Sequence, residues 1–408
     1  LQKTRNSISR NLQAFTLALV LVVLIGLSGC DDAGPVGSDL TKPGAEVTVD
    51  TITVNTIDTT HTSTFSGGKN YFSAGAYSDP IFGDISAIGM VEPKLPPSVD
   101  SVQSNAKMLM RIIINGDEVY GDSSAIQDFD IYEIDEYWEI AGQKMKDDIK
   151  INMNAKVASF SIGEEDSLDV ELSSNWFDKY YKFASDTSSD ADSLYEHEVY
   201  GLALVPQNSK KIIPLDRTST RFVIQNPDTD TVSVNMSKYA YSLDRTNESF
   251  PQGSVPLYST YESVLQLDVD LSDINAEAST ISKTELVLYQ NNAALEQSLQ
   301  SEPLSVQRPP EKNVQLHLAD PEDIPKAIDP GSPIASGAYN RTDGAYHLDI
   351  TSLAQQILLN GFPAGQKNYI TLINNGIITP SLLYTNSEQV PVNKKPKIII
   401  TYLKNTNK

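Results

Sequence analysis

Apolar and polar residues alternate along most of the chain beyond Val47. Segment 264–272 (VLQLDVDLS) puts Leu265, Leu267, Val269 and Leu271 on one face and polar groups on the other. That period-two pattern predicts a half-buried antiparallel strand. Val232, Val234 and Met236 alternate in the same way with Ser233, Asn235 and Ser237, and Val314, Leu316 and Leu318 with Gln315, His317 and Ala319. Further strands are expected at 107–114, 129–134, 199–205, 220–225, 285–290, 369–373 and 397–403. The loops between them are rich in Asp, Ser, Asn, Gly and Pro, the residues that turns require. Helical spacing is confined to 175–183 and 352–359, the second stopped by Gly361. The pattern predicts an all-β chain with a few short helices, arranged as two tandem antiparallel β-sandwich domains, 47–248 and 249–408. Segment 244–257 is the expected boundary.

The two halves read as an architectural repeat. LDVELSSNWFDKYYKF (168–183), VYGLALV (199–205) and STRFVIQ (219–225) are matched in order by HLDITSLAQQILLNG (347–361), NYITLIN (368–374) and KPKIIITYL (395–403). Upstream, AKMLMRIII (106–114) corresponds to KTELVLYQ (283–290).

The start of the chain follows a different rule. Lys3, Arg5 and Arg10 precede an apolar run at 14–27, and no further charge appears until Asp31. A basic segment before a short apolar core is a secretory signal. Leu27-Ser28-Gly29-Cys30 then matches the bacterial lipobox, which predicts a signal peptide at 1–29 and lipid on Cys30. The apolar core is short for a membrane-spanning helix, which takes about 20 residues. Cys30 is the sole cysteine, so no intrachain disulfide or thiolate cluster is available. Two or more acyl chains on it would anchor the protein firmly to a bilayer. Residues 30–46, rich in Gly, Pro and Asp, read as a flexible tether.

Charge narrows the partners. The formal net charge is −22, and residues 1–29 contribute three basic and no acidic groups, so cleavage would deepen it by three. No nucleic-acid partner is expected, because phosphate recognition needs clustered Lys and Arg. Electrostatic docking to anionic lipid is disfavoured for the same reason.

Candidate chemistry is sparse. His61, His197, His317 and His347 show no metal-ligand spacing, and His317 and His347 are expected on solvent-facing strand positions. No nucleophile elbow, P-loop or dinucleotide fingerprint occurs. Two acidic loops carry oxygen donors at alternate positions: Asp186, Asp190 and Asp192, and Asn226 with Asp228 and Asp230. They are candidates for a structural calcium ion, though Ala191 and His197 replace the glycine and glutamate of an EF-hand loop. No other cofactor is expected. Trp138 with Tyr132 and Tyr137 is a candidate sugar-stacking surface, while Trp176, Tyr180 and Phe183 share helical spacing and are read as core.

Two family resemblances follow from particular residues. The segments LQLDVDLSDI…ISKTELVLY (265–289), HLDITSLAQQIL (347–358), KPKIIITY (395–402) and IYEIDEYWE (131–139) resemble the DNRLRE domain, with Lys395 where that domain has arginine. The resemblance implies a jelly-roll-like sandwich and, by analogy, a carbohydrate-binding capacity. The lipobox, GSDL (37–40) and Gly75-Ala76-Tyr77-Ser78-Asp79-Pro80-Ile81-Phe82-Gly83 resemble the lipoproteins of domain-of-unknown-function family 4270. This second likeness implies a Gram-negative outer-membrane lipoprotein on the outer face, with no established activity. Asp31 and Asp32 have two readings, inner-membrane retention or surface export. The expected function is binding, adhesion or scaffolding without catalysis, with a polysaccharide or an envelope protein as partner. The alternatives are a carbohydrate-binding accessory to polysaccharide degradation and an envelope glycosidase using paired carboxylates.

Overall fold

The computed structural model describes residues 45–405 apart from 55–56, 62–63, 115, 270, 272–273, 275–276, 278–279, 311 and 325–330. The expected signal peptide, Leu27, Ser28, Gly29 and Cys30 among its residues, lies outside the described residues, as does the tether up to residue 44. No helix of the described residues is long and apolar enough to cross a membrane.

The alternation becomes antiparallel sheet. In the first body a four-stranded sheet, in the order Val232–Val234, Arg221–Gln225, Lys107–Ile113 and Ser167–Glu171, faces a longer one. The longer sheet is centred on the hairpin Tyr71–Asp79 and Gly83–Pro93; Lys211–Asp216 flanks its first strand, Met236–Thr246 pairs along one edge of its second, and Leu202–Pro206 continues the other edge beyond Tyr71–Asp79. Met108, Met110, Ile112, Phe222 and Ile224 of the small sheet pack against Phe72, Ala74, Val91, Leu204 and Ile213 of the large one. Each such side chain contributes about 1.5–3 kcal/mol by leaving water.

Helix α1 (Ser174–Ala184) closes one end of this core. Ser173 caps it by accepting from the Trp176 amide at 3.4 Å, and Trp176, Tyr180 and Phe183 project into the core from one face. A second helix, α2 (Ala191–Glu198), follows it and was not legible from spacing: only Ala191 and Tyr195 are buried along it.

The second body is a nine-stranded sheet in the order Ala45–Thr53, Lys397–Asn405, Ile281–Tyr289, Ala345–Asp349, Ala335–Asn340, Asn313–Ala319, Lys367–Leu372, Ser263–Leu267 and Ile57–His61. Leu265, Leu286, Leu288, Val314, Leu316, Leu348, Ile370, Leu372, Ile398 and Ile400 from one face form a single core. Nine strands at about 4.8 Å spacing make a face roughly 38 Å wide. The same core also takes side chains from outside the sheet, among them Val269, Leu271, Leu353 and Ala354, and Leu257 and Leu383 of the pair Ser254–Tyr258 and Pro380–Tyr384. The antiparallel sheets and their apolar cores agree with the expected all-β sandwich fold. The strand expected at 264–272 stops at Leu267; Val269 and Leu271 stay buried without extending it. Two further helices, α3 (Asn292–Ser298) and α4 (Thr351–Asn360), complete the described helices. Asp349 starts α4 by accepting from the amide and hydroxyl of Thr351 at 3.0 and 2.6 Å.

The pairing itself repeats. Lys107–Ile113 lies between Ser167–Glu171 and Arg221–Gln225, as Ile281–Tyr289 lies between Ala345–Asp349 and Lys397–Asn405. Leu202–Pro206 and Lys367–Leu372, each following the helix, take equivalent neighbours, Gln127–Ile134 and Gly83–Pro93 in one body, Asn313–Ala319 and Ser263–Leu267 in the other.

One strand pair closes each body. Val232–Val234 and Met236–Thr246 add to Arg221–Gln225 and Gly83–Pro93 of the first body. In the second, the same two places are filled by Ala45–Thr53 and Ile57–His61, from the far end of the chain. Each closing pair thus directly precedes one body in sequence and completes the other. The expected first sandwich starts at Val47, yet strands 45–61 lie in the second sheet. Alternation fixes which face of a strand is buried, and carries no information on which sheet receives it.

Among the described residues, two buried ion pairs join the bodies. Arg245 of the first donates to Glu262 of the second at 3.0 Å, with side-chain exposures of 3% and 6%. The second pair, Asp79 with Arg308, is described below.

Candidate functional site

The two bodies differ at two connections. Helix α2 in the first has no described counterpart in the second. Between Ile281–Tyr289 and Asn313–Ala319 the chain inserts α3 before a short strand, Val306–Gln307, whereas the described residues of the corresponding first-body link, 114–126, hold a short strand, Tyr120–Asp122, and no α-helix. Asn291 caps α3 by accepting from the Ala294 amide at 3.1 Å. Val306–Gln307 then pairs with Tyr120–Asp122 and so joins the first body's sheet.

Arg308 pins the insertion. It donates to both oxygens of Asp79, Nε to Oδ2 at 2.7 Å and Nη2 to Oδ1 at 2.8 Å, and also to the Leu295 carbonyl at 3.0 Å. Asp79 additionally accepts from the amides of Ile81 and Phe82 and from the Tyr120 hydroxyl. Burial works to raise the Asp79 carboxyl, but the hydrogen bond and charge of Arg308, with the two amides, hold it below its ordinary value. Burial likewise pushes the Tyr120 phenol well up, so it stays a donor. Asp79 belongs to the segment Gly75–Gly83 singled out in the sequence, and the glycines there have a physical reason. Gly83 has φ +77°, and a Cβ on it would lie 2.0 Å from the Thr246 carbonyl oxygen.

The insertion walls a cavity of about 880 Å³ over the second sheet. Tyr339 and Ala338 of Ala335–Asn340 line its sheet side, Leu295, Glu296 and Leu299 the insertion side, and Lys312 and Arg341 its rim. The polar groups inside are fixed by one another. Gln290 Oε1 accepts from the hydroxyls of Tyr346 at 3.0 Å and Ser381 at 3.4 Å. Asn292 donates to the Tyr339 hydroxyl oxygen at 2.6 Å. The Tyr339 ring leans on Tyr346 with centroids 5.1 Å apart. Among the described residues the lining holds one carboxylate, Glu296, and no histidine or cysteine.

The residues singled out by composition lie elsewhere. Trp138 is 4% exposed, donates through Nε1 to the Tyr200 carbonyl at 2.8 Å and packs among Met90, Ile134, Ala203 and Ala240. Tyr132 is 8% exposed and its hydroxyl donates to Asp130. Neither presents a stacking face, and the expectation of a sugar surface there is corrected. Strand Gln127–Ile134 ends before Trp138, so strand parity no longer applied to it.

The acidic loops are not gathered into cation sites. Asp186 accepts from the Ser188 amide, Asp190 from the Ser189 hydroxyl, and Asp192 lies exposed on α2. Asn226 is occupied in holding its own loop, donating to the carbonyls of Ser101 and Asp230 and accepting from the Gln103 amide. Asp228 and Asp230 are exposed. Among the described residues no group of three or more His, Cys, Asp or Glu is placed to hold a metal ion.

His317 is also corrected: it is 1% exposed rather than solvent-facing. The outer face of its strand is covered by a second layer, in which Tyr261 and Ile324 pack with Tyr369, the cross-strand neighbour of His317. His347 is partly exposed and pairs with Asp343 at 2.7 Å.

No family model matches this chain, and no curated protein or solved structure matches it either. The resemblances described above are carried by the quoted motifs alone.

Proposed function

We propose that the chain is a lipid-anchored, non-enzymatic binding protein of the bacterial envelope, presenting the cavity under α3 to a ligand. The observation that carries this reading is the cavity's wall: it is an insertion carrying α3, for which the first body has no described α-helix, and a buried ion pair to the other body holds it in place. Volumes of about 300–1,000 Å³ are those of ordinary ligand pockets. One carboxylate among the described lining residues suits recognition, since hydrolysis of a glycosidic bond by the common route needs two carboxyl groups across the bond. The lipobox at Cys30 and the likeness to outer-membrane lipoproteins support an anchor and display on the outer face. The ion pairs that join the two bodies suit a scaffold that keeps the cavity wall in a fixed geometry.

The test is a thermal-shift screen of glycans and small metabolites against the full chain and Ala338→Trp. Ala338 is exposed at the cavity, so the indole fills it without entering the core. Ligands that raise the melting temperature of the parent and lose that effect in the variant support the reading. Turnover of such a ligand, seen by NMR, would refute the non-enzymatic part.

A further inference from the structure

We propose that the edge strand Ala45–Thr53 pairs with the same strand of a second copy of this chain, antiparallel about a two-fold axis at Val49. The strand ends the nine-stranded sheet, and among the described residues it pairs with Lys397–Asn405 alone. Its register with that neighbour runs from Ala45 to Thr53 without a bulge, and the strand holds no proline or lysine. Val47 and Val49 are 57% and 59% exposed on its outer face. A long, regular edge with exposed apolar side chains invites another strand, and proteins that stay single blunt such edges with bulges or lysines. The large sheet of the first body shows the contrast. Its edge strand Ile151–Ile162 carries Lys156 and meets its neighbour through two register shifts.

Pleat and charge together select the occupant and its register. Opposed residues of an antiparallel pair share a face, so a two-fold axis must pass through a residue rather than between two. An axis at Thr48 would set Glu46 against Asp50, and one at Asp50 would set Asp50 against itself. Like charges directly opposite are destabilising. An axis at Val49 uses the whole strand and sets Glu46 against Ile52 and Asp50 against Thr48. On the outer face it opposes Val49 to Val49 and Val47 to Thr51, β-branched pairs that favour a sheet. Axes nearer either end shorten the overlap. The strand is therefore complementary to itself in one register.

Self-pairing also suits an anchored protein. Residues 30–44 precede the strand and span at most about 50 Å when extended. The two strand starts in the pair lie about 27 Å apart, at roughly 3.4 Å per residue. Both Cys30 groups can therefore reach one bilayer, where a shared surface raises the effective concentration of the copies. The pairing itself does not depend on that anchor.

The experiment uses the full chain in mild detergent, with Cys30→Ala so that one engineered thiol is present. Val49→Cys should form a disulfide-linked dimer on oxidation, since opposed residues lie about 4.5–5.5 Å apart at Cα, within disulfide reach. Thr53→Cys is the exposed control. Its two copies lie about 27 Å apart in this register, and its dimer should be roughly tenfold less abundant. In sedimentation at micromolar concentration the parent should be a dimer, strengthened by salt because each copy carries a formal charge of −22. Val49→Lys should be a monomer with an unchanged melting temperature, which separates lost pairing from lost folding. Equal cross-linking of Val49→Cys and Thr53→Cys, or a dimer that persists in Val49→Lys, overturns the proposal. A monomeric parent overturns it too. Hydrogen exchange then assigns the edge: protected outward amides in 45–53 mean that the chain before Ala45 covers it, and fast exchange leaves it to a different protein.

Discussion

Arg308 and Asp79 lie 229 residues apart in sequence and meet in a forked ion pair, with side-chain exposures of 9% and 0%. Removing one partner leaves the other charge buried and uncompensated. Arg308→Ala should therefore cost about 3–5 kcal/mol, read as a lower denaturant midpoint. The pair also sets the acid limit. The folded-state carboxyl of Asp79 lies below its ordinary value, so its stabilisation is complete above that value and is lost as pH falls through the folded one. Unfolding curves of Asp79→Asn should lack this loss below about pH 4. Parallel acid limbs in parent and variant would contradict it.

Gly83 offers a sharper local test. Its positive φ and the 2.0 Å approach of a built Cβ to the Thr246 oxygen mean that Gly83→Ala must displace backbone. The expected cost is about 3 kcal/mol, combining backbone strain with the clash. Gly116 is the control, with nothing within 4 Å of its would-be Cβ. Gly116→Ala should stay within about 0.5 kcal/mol of the parent. Equal losses at both positions would refute the steric account.

The segment around Gly83 shows where the sequence was legible and where it was not. Alternation located the strands because a half-buried sheet enforces period two, and the repeat of strand, helix and strand recurs in the pairing. The motif at 75–83 was visible, but its partner Arg308 was not, because a single arginine in a Pro-rich loop carries no local signal of a contact 229 residues away. Helix α3 was missed for a related reason: none of its residues is buried, so it shows no apolar stripe. The cavity is walled by such aperiodic pieces. Trp138 was misplaced because its clustering with Tyr132 and Tyr137 suggests a stacking face, while its indole turns into a small cluster of Met90, Ile134, Ala203 and Ala240.

Strand exchange between the bodies gives the next prediction. Ala45–Thr53 and Ile57–His61 pair only with strands of the second body. Deleting 45–61 should therefore open the edges of Lys397–Asn405 and Ser263–Leu267. Hydrogen exchange should accelerate there, with the amides of Leu202–Pro206 in the first body staying protected. Loss of protection confined to the first body would refute the pairing.

Glu92 supplies a pH dependence of opposite sign to that of Asp79. Its side chain is 2% exposed, accepts from the Ser237 hydroxyl at 2.8 Å and lies 3.2 Å from Lys238 Nζ without the alignment of a hydrogen bond. Burial therefore outweighs the attraction of Lys238, and the Glu92 carboxyl is raised above its ordinary 4.5. A carboxyl raised on folding binds its proton more tightly in the folded state. Its contribution is fully present below the unfolded value and is lost as pH rises through the folded one. The parent should thus gain stability on acidification from neutral pH toward 4.5, before protonation of Asp79 takes over at lower pH. Glu92→Gln, which cannot ionise, should show a flatter profile across that interval while keeping the acid limb of Asp79. Denaturant midpoints measured across the same interval decide the matter, since a variant profile parallel to the parent would mean that Glu92 ionises no differently in the folded and unfolded chain.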